Sequence, residues 1–333
     1  MILSVRRNHM VIEKATAINF TGVASKLRDP GFWGDNAALI GLIVIGAIFS
    51  VLTPYFFTWA NISDLLVSAS ILVVLATAQQ FAIVTGGIDL SIAGNLPWAA
   101  VIFGLVYNGG FGIVPAVIAA ILAGTVVGLI NGLVIAKLKV NDFIATLGML
   151  GVMNGVALIV SDGQSFSVNS HFLQSLALGA VGHIRYFYLI ALLIAVGAHL
   201  VFTHTAFGTH VLATGGNREA ARNMGIPVSR MRIAVYVIDG ALVGLAAVLL
   251  VARTGGSDPS LQTSELLTSI ASVVLGGSSL FGGRAAVVGT VAGALVLTTL
   301  LNGFTLLQVS EFYQPIAVGI VVIAAAVLSR LQR

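Results

Sequence analysis

Ten apolar windows succeed one another along this chain, near residues 37–57, 65–85, 90–107, 114–136, 143–160, 186–202, 233–252, 266–277, 286–303 and 314–329. About 20 apolar residues in helical form match the hydrocarbon thickness of a bilayer, where a backbone must satisfy its own hydrogen bonds. Only 8% of the 333 residues are charged, too few to face water around a soluble globule. The chain therefore reads as an all-α polytopic membrane protein with about ten transmembrane helices over residues 37–333. Residues 1–36 read as a polar tail: they carry Arg6, Arg7, Lys14, Lys26 and Arg28, with no apolar signal-peptide core behind the first arginines. Pro97 in the third window and the sparse apolar content of the eighth predict that one or both are broken or re-entrant.

Charge fixes an orientation. With the N-terminus inside, a ten-span map puts the sixteen Lys and Arg residues on the cytoplasmic side, Arg185 and Arg253 excepted. That bias predicts cytoplasmic N- and C-termini and assigns the net charge of +4 to cytoplasmic loops rather than to nucleic-acid binding. The 38 glycines include four small-xxx-small steps, Gly124/Gly128/Gly132, Gly151/Gly155, Gly240/Gly244 and Gly289/Gly293, which predict close helix approach in lipid. The absence of cysteine excludes disulfides, thiolate metal sites and a cysteine nucleophile.

Residues 204–232 form the one long polar interruption, basic and expected in the cytoplasm, and a connection of that length suggests a soluble partner. Gly215-Gly216 is expected to break the chain. Asn217 then caps a helix of about two turns that Gly225 stops, with Pro227 beyond. Such a helix offers Arg218 and Arg222 four residues apart, Glu219 between them, and Met224 as an adaptable apolar contact. The competing reading is a loop resting on anionic lipid headgroups.

Gly86-Gly87 followed by Asp89 and Ser91 reads as a sharp reversal with a capped helix start. A short similarity sets residues 81–94 against 271–284, with Gly86-Gly87 above Gly276-Gly277; if it extends, the halves are parallel repeats. The run Gly277–Arg284 is not a phosphate loop, because Gly283 and Arg284 stand where lysine and Ser or Thr are required. Any ATP hydrolysis that drives transport must then occur on another chain. Within the windows, Gln79, Gln80, Asn95, Asn154 and Asp239 are costly in hydrocarbon unless they bond across helices or line a wet pathway. Gln79-Gln80 is the favoured pathway pair, since adjacent amides point to different faces. Asp239, the one carboxylate clearly inside a window, leaves an ion-coupled carrier as the alternative. His199, His204 and His210 lack metal-ligand spacing, and no catalytic motif is present, so neither a metal site nor a catalytic residue is assigned.

VTGGIDLSIAG (84–94), NGLVIAKLKVNDFIATLGML (131–150), FGTHVLATGGNREAARNMGI (207–226) and VLGGSSLFGGR (274–284) occur in this order. Over about Asn61 to Arg330 the chain resembles the permease subunits of binding-protein-dependent ABC importers for ribose and other monosaccharides. The resemblance implies two permease copies, identical or not, forming one pathway in the bacterial inner membrane. It also implies an extracytoplasmic sugar-binding protein and a cytosolic ATPase that holds ATP and Mg and docks on a coupling helix, here Asn217 to Met224. Ile92-Ala93-Gly94 and Arg218 depart modestly from the family pattern, and residues 1–36 inherit nothing from it.

Overall fold

The computed structural model describes residues 37–260 and 264–331; the expected tail, residues 1–36, lies outside them. A helix occupies each of the ten windows. These are α1 (Ala37–Leu52), α2 (Trp59–Val84), α3 (Ile92–Val106), α4 (Ile113–Lys137), α5 (Asp142–Val160), α7 (Tyr186–His204), α10 (Val228–Thr254), α11 (Ser264–Leu275), α12 (Val287–Leu306) and α13 (Gln314–Leu331). Among the described residues, three short α-helices stand outside the windows, α6 (His171–Leu178), α8 (Ala206–Gly216) and α9 (Arg218–Asn223), with a 3-10 turn at Glu311–Tyr313.

Among the described residues, six helices are long and apolar enough to cross a membrane unaided: α2, α4, α5, α7, α10 and α12. The two windows suspected on sequence are the shortest of the ten. α3 has 15 residues with Pro97 inside it, and α11 has 12. At about 1.5 Å per residue α11 rises roughly 18 Å, short of a hydrocarbon layer of about 30 Å, while α3 is prolonged by a π-helical segment, Tyr107–Phe111. Both adjoin a diglycine reversal. Among the described residues, strand structure is limited to two antiparallel two-residue ladders, β1 (Phe166–Ser167) with β4 (Gly256–Ser257) and β2 (Ala180–Val181) with β3 (Ile184–Arg185).

α2 is the axis of the bundle. Thr58 caps its start, accepting from the Asn61 N–H, and its apolar window is almost wholly buried between α7, α10, α11 and α12. By contrast, most of the apolar windows of α4, α5 and α7 are half-buried or exposed, a surface for lipid or another subunit to cover in a membrane.

Three of the four glycine steps are used inside the chain. α4 crosses α10 through Gly124, Gly128 and Gly132 against Gly240 and Gly244: a Cβ on Gly128 would overlap the Tyr236 carbonyl oxygen, and one on Gly244 would lie 2.7 Å from the Ala120 carbonyl oxygen. Gly289 and Gly293 of α12 pack in the same way against Gly276 and the Ser272 backbone. The fourth step is different. Gly151 and Gly155 on α5, like Gly148 before them, have no atom within 4 Å of a would-be Cβ.

The two ends of α2 sort the charges. At its N-terminal end Asp64 pairs with Arg185 at 3.9 Å and shares a cavity with Arg253. At its C-terminal end the Arg218 guanidinium donates to the Thr85 carbonyl at 3.2 Å. The two arginines set apart by the charge count thus lie together, at the end of α2 opposite Arg218.

Candidate functional site

The C-terminal end of α2 is where the remaining motifs converge. α2 ends in a Schellman-type turn: Gly86 adopts φ 74°, its N–H bonds the Ile83 carbonyl, and the Gly87 N–H bonds the Ala82 carbonyl. α11 ends identically, with Gly277 at φ 85° bonded to Val274 and the Ser278 N–H bonded to Val273. The equivalence is Gly86 with Gly277, one residue off the register in which the two sequences align. Gly87 and Gly276 therefore serve another purpose, close approach: a Cβ on Gly87 would strike the Asp142 carboxylate, and one on Gly276 the Gly289 backbone. The match between the segments is a shared helix-ending motif.

Gln79 and Gln80 are fully buried and each serves one of these turns. The Gln79 amide, oriented to suit its neighbours, donates to the Asp89 carbonyl at 2.9 Å and accepts from the Asp89 N–H at 3.2 Å. Gln80 donates to Ser278 Oγ at 2.8 Å, and the same oxygen accepts the Ala286 N–H at 3.0 Å. The two amides diverge to different faces, but they meet loop backbone and hydroxyl rather than open space. Asp89 is buried and accepts from the Ser91 N–H and Oγ at 2.7 and 2.6 Å, fixing the turn into α3; its carboxyl also faces that of Asp239 on α10. Asn95 donates to the Gly124 carbonyl at 3.3 Å across α3 and α4. Asn154 stands half-buried on α5, on the open face that carries Gly151 and Gly155.

The polar interruption is more ordered than a loop. Residues 206–216 form α8, whose start is capped by the Thr205 hydroxyl accepting from the Gly208 N–H at 3.0 Å. Gly215 and Gly216 end this helix, so the chain breaks there, just before the cap Asn217. A Cβ on Gly215 would overlap the Val84 carbonyl oxygen, so these glycines let α8 lie directly on the end of α2. The Gly283 N–H then bonds that same Val84 carbonyl at 2.9 Å, bringing the 276–284 loop into the junction.

Asn217 caps α9, its Oδ1 accepting from the Glu219 and Ala220 N–H groups at 3.0 and 2.9 Å. Gly225, at φ 81°, closes it in a third Schellman turn, with Ile226 N–H bonded to Ala221 and Gly225 N–H to Arg222. Ala221 is buried and anchors the helix, while Glu219 and Met224 face outward, Met224 at 83% exposure. Asn217→Ala is expected to cost about 1 kcal/mol of local helix stability. Hydrogen exchange at the Glu219 and Ala220 amides should then speed up about fivefold while α2 stays protected.

Arg218 does not join the outward face. It turns back to the Thr85 carbonyl and lies 3.9 Å from Asp142; burial and then the Arg232 charge hold it below the usual guanidinium range, opposed by Asp142. Asp142 is the residue that sequence reasoning missed. It opens α5 next to the cap Asn141, is nearly buried, and is bonded by the Arg232 guanidinium and by the Tyr236 hydroxyl at 3.2 Å. A lone acid after Lys137 and Lys139 was the available signal.

A chain of apolar crossings, glycine reversals that end α2 and α11, and a capped short helix at the basic end describe a membrane permease. The chain belongs to the family described as branched-chain amino acid transport system / permease component, which matches residues 61–326. It is 35% identical over 298 residues to the ribose import permease protein RbsC of Escherichia coli K12, covering 88% of this chain and 93% of the relative. With RbsC of Bacillus subtilis it shares 36% over 315 residues, 94% of this chain and 95% of the relative. With the L-arabinose ABC transporter permease protein AraH of Azospirillum brasilense it shares 33% over 306 residues, 91% and 90% of the two chains. No solved structure matches.

Proposed function

We propose that this chain is the membrane-spanning subunit of a bacterial inner-membrane ABC importer for a monosaccharide, with α9 as the segment its cytosolic ATPase engages. The observation that carries the reading is α9 itself. Six residues capped at both ends, anchored by Ala221 and braced by Arg218 against α2, present Glu219 and Met224 to the outside. A short capped helix that follows α8, the helix seated on the end of α2, and that reaches α2 through Arg218 suits transmission of a push between chains. The monosaccharide assignment follows relatives named for ribose, arabinose and allose. In this reading ATP and Mg belong to the ATPase, an extracytoplasmic binding protein delivers the sugar, and a second permease copy completes the pathway.

The open α5 face with Gly148, Gly151, Asn154 and Gly155 is the surface proposed to meet that second copy. The hydrogen bonds of Gln79 and Gln80 favour a loop-positioning role for them, and Asn95 and Asn154 stay as the proposed pathway residues. Family membership supports this reading over an ion-coupled carrier built on Asp239.

Met224→Asp places a charge at the proposed contact and is expected to weaken ATPase association about thirtyfold, the effect of a hot-spot residue worth roughly 2 kcal/mol. Co-purification and permease-stimulated hydrolysis measure it. Undiminished association in Met224→Asp, or ATP hydrolysis by the isolated chain, overturns the proposal.

A further inference from the structure

Behind α9 a cavity of about 390 Å3 opens between the α4–α5 turn, α9 and the start of α10. Four basic side chains line it, Lys139, Arg218, Arg222 and Arg232, with one acid, Asp142. Asp142, the one acid of the lining, is bonded by Arg232 and Tyr236 and also faces Arg218 at 3.9 Å, so four cations share a single carboxylate and the wall keeps an excess of positive charge around a space large enough for a phosphate group. Lys139 holds this wall in a left-handed backbone, φ 58°, that a non-glycine residue adopts only when its surroundings impose it. Leu138, Phe143 and Ile144, close by in sequence on the same turn and the first turn of α5, are exposed at 71%, 53% and 65%. Basic pockets with apolar borders at the cytoplasmic boundary suit anionic lipid headgroups, and guanidinium forks match phosphate oxygens.

We propose that this cavity binds the phosphate headgroup of an anionic phospholipid from the inner leaflet, with Lys139, Arg218 and Arg222 as its ligands. The proposal rests on the reading that this end of the bundle is cytoplasmic. A lipid phosphate there ties the α4–α5 turn to α9, so membrane composition bears directly on the coupling segment. It also offsets the repulsion between Arg218 and Arg232 that Asp142 counters from one side only.

The test uses the full chain in nanodiscs of equal phosphatidylcholine and phosphatidylglycerol content, with retained lipid read by native mass spectrometry. Preferential retention of phosphatidylglycerol is expected. In Lys139→Gln/Arg222→Gln the preference should fall about thirtyfold, the effect of two membrane-surface cations. Arg230→Gln, an exposed arginine outside the cavity, should leave it unchanged. Equal retention of the two lipids, or equal loss in Arg230→Gln, overturns the site. Binding of inorganic phosphate without a lipid preference, or salt-sensitive ATPase capture by these cations in its place, overturns the lipid as occupant. If the double variant does not purify, Lys139→Gln alone repeats the measurement with half the effect on a logarithmic scale. Glu219→Cys, labelled by an impermeant maleimide in inside-out vesicles, checks the orientation separately; labelling in right-side-out cells overturns the cytoplasmic reading itself, whatever the cavity binds.

Discussion

Asp142→Ala should lower the stability of the purified protein by about 3–5 kcal/mol, the cost of leaving a buried ion-pair partner uncompensated. The removed carboxylate takes hydrogen bonds from Arg232 and Tyr236 and faces Arg218 at 3.9 Å. Without it, two guanidinium groups confront each other beside an unpaired buried hydroxyl. Asp142→Asn keeps an acceptor but not the charge, and should fall between alanine and the native protein. The decisive variant is Asp142→Ala/Arg232→Met, which removes both charges and should recover a large part of the loss, because the penalty lies in the orphaned cation more than in the missing bond. Thermal unfolding followed by fluorescence-detected gel filtration measures all three. A single variant as stable as the native protein, or a double variant no better than the single, would show that the junction does not hold α5 to α10.

Gly128→Val is expected to be the most damaging change within the bilayer, at about 3 kcal/mol or more. Its first side-chain carbon would overlap the Tyr236 carbonyl, and backbone cannot rotate away as a side chain can. The α4–α10 crossing is the most extensive helix pairing in the chain, so separating it disturbs every element packed on α10. Gly151→Ala provides the contrast. It lies at the same kind of glycine step but in open space, so it should leave the isolated subunit unchanged or stabilise α5 by about 0.5–1 kcal/mol through lower backbone entropy. Equal effects in the two variants would sink the distinction between a seam inside the subunit and a free face.

The sequence made the helices legible because hydropathy is a local property: every window holds a helix, and Pro97 and the weak eighth window marked α3 and α11 as the short ones. Asn217, Gly225 and Pro227 placed α9 correctly because caps and stops act within a few residues. The junction around α9 was not legible, for reasons of distance. Asp142 and Arg232 lie 90 residues apart, and Gln80 and Ser278 lie 198 apart. Nothing near either residue signals its partner. Gly215-Gly216 marks the break between α8 and α9 as its sequence suggests, but its second use, close approach to the Val84 carbonyl, depends on a residue far away in the chain. A polar stretch was likewise read as loop over residues that form α8, because its stability comes from docking on α2 and α10 rather than from an apolar stripe. The diglycine similarity located two turns of the same kind but misplaced their equivalence by one residue, since one glycine in each pair supplies positive φ and the other clearance.

Gln79 and Gln80, one holding the loop after α2 and the other the loop after α11, restrict how the central helix can move. Successive side chains on a helix diverge by about 100°, so a twist of α2 about its own axis would pull at least one amide from its partner. Sliding by a residue would break the Gln80 bond, which reaches the loop after α11. The motion these bonds permit is a tilt in which α2, its own turn and the loop after α11 travel together as one block. A force applied to that block at Thr85 is therefore delivered along the length of the helix to its opposite end, near Asn61 and Asp64, without being dissipated as torsion.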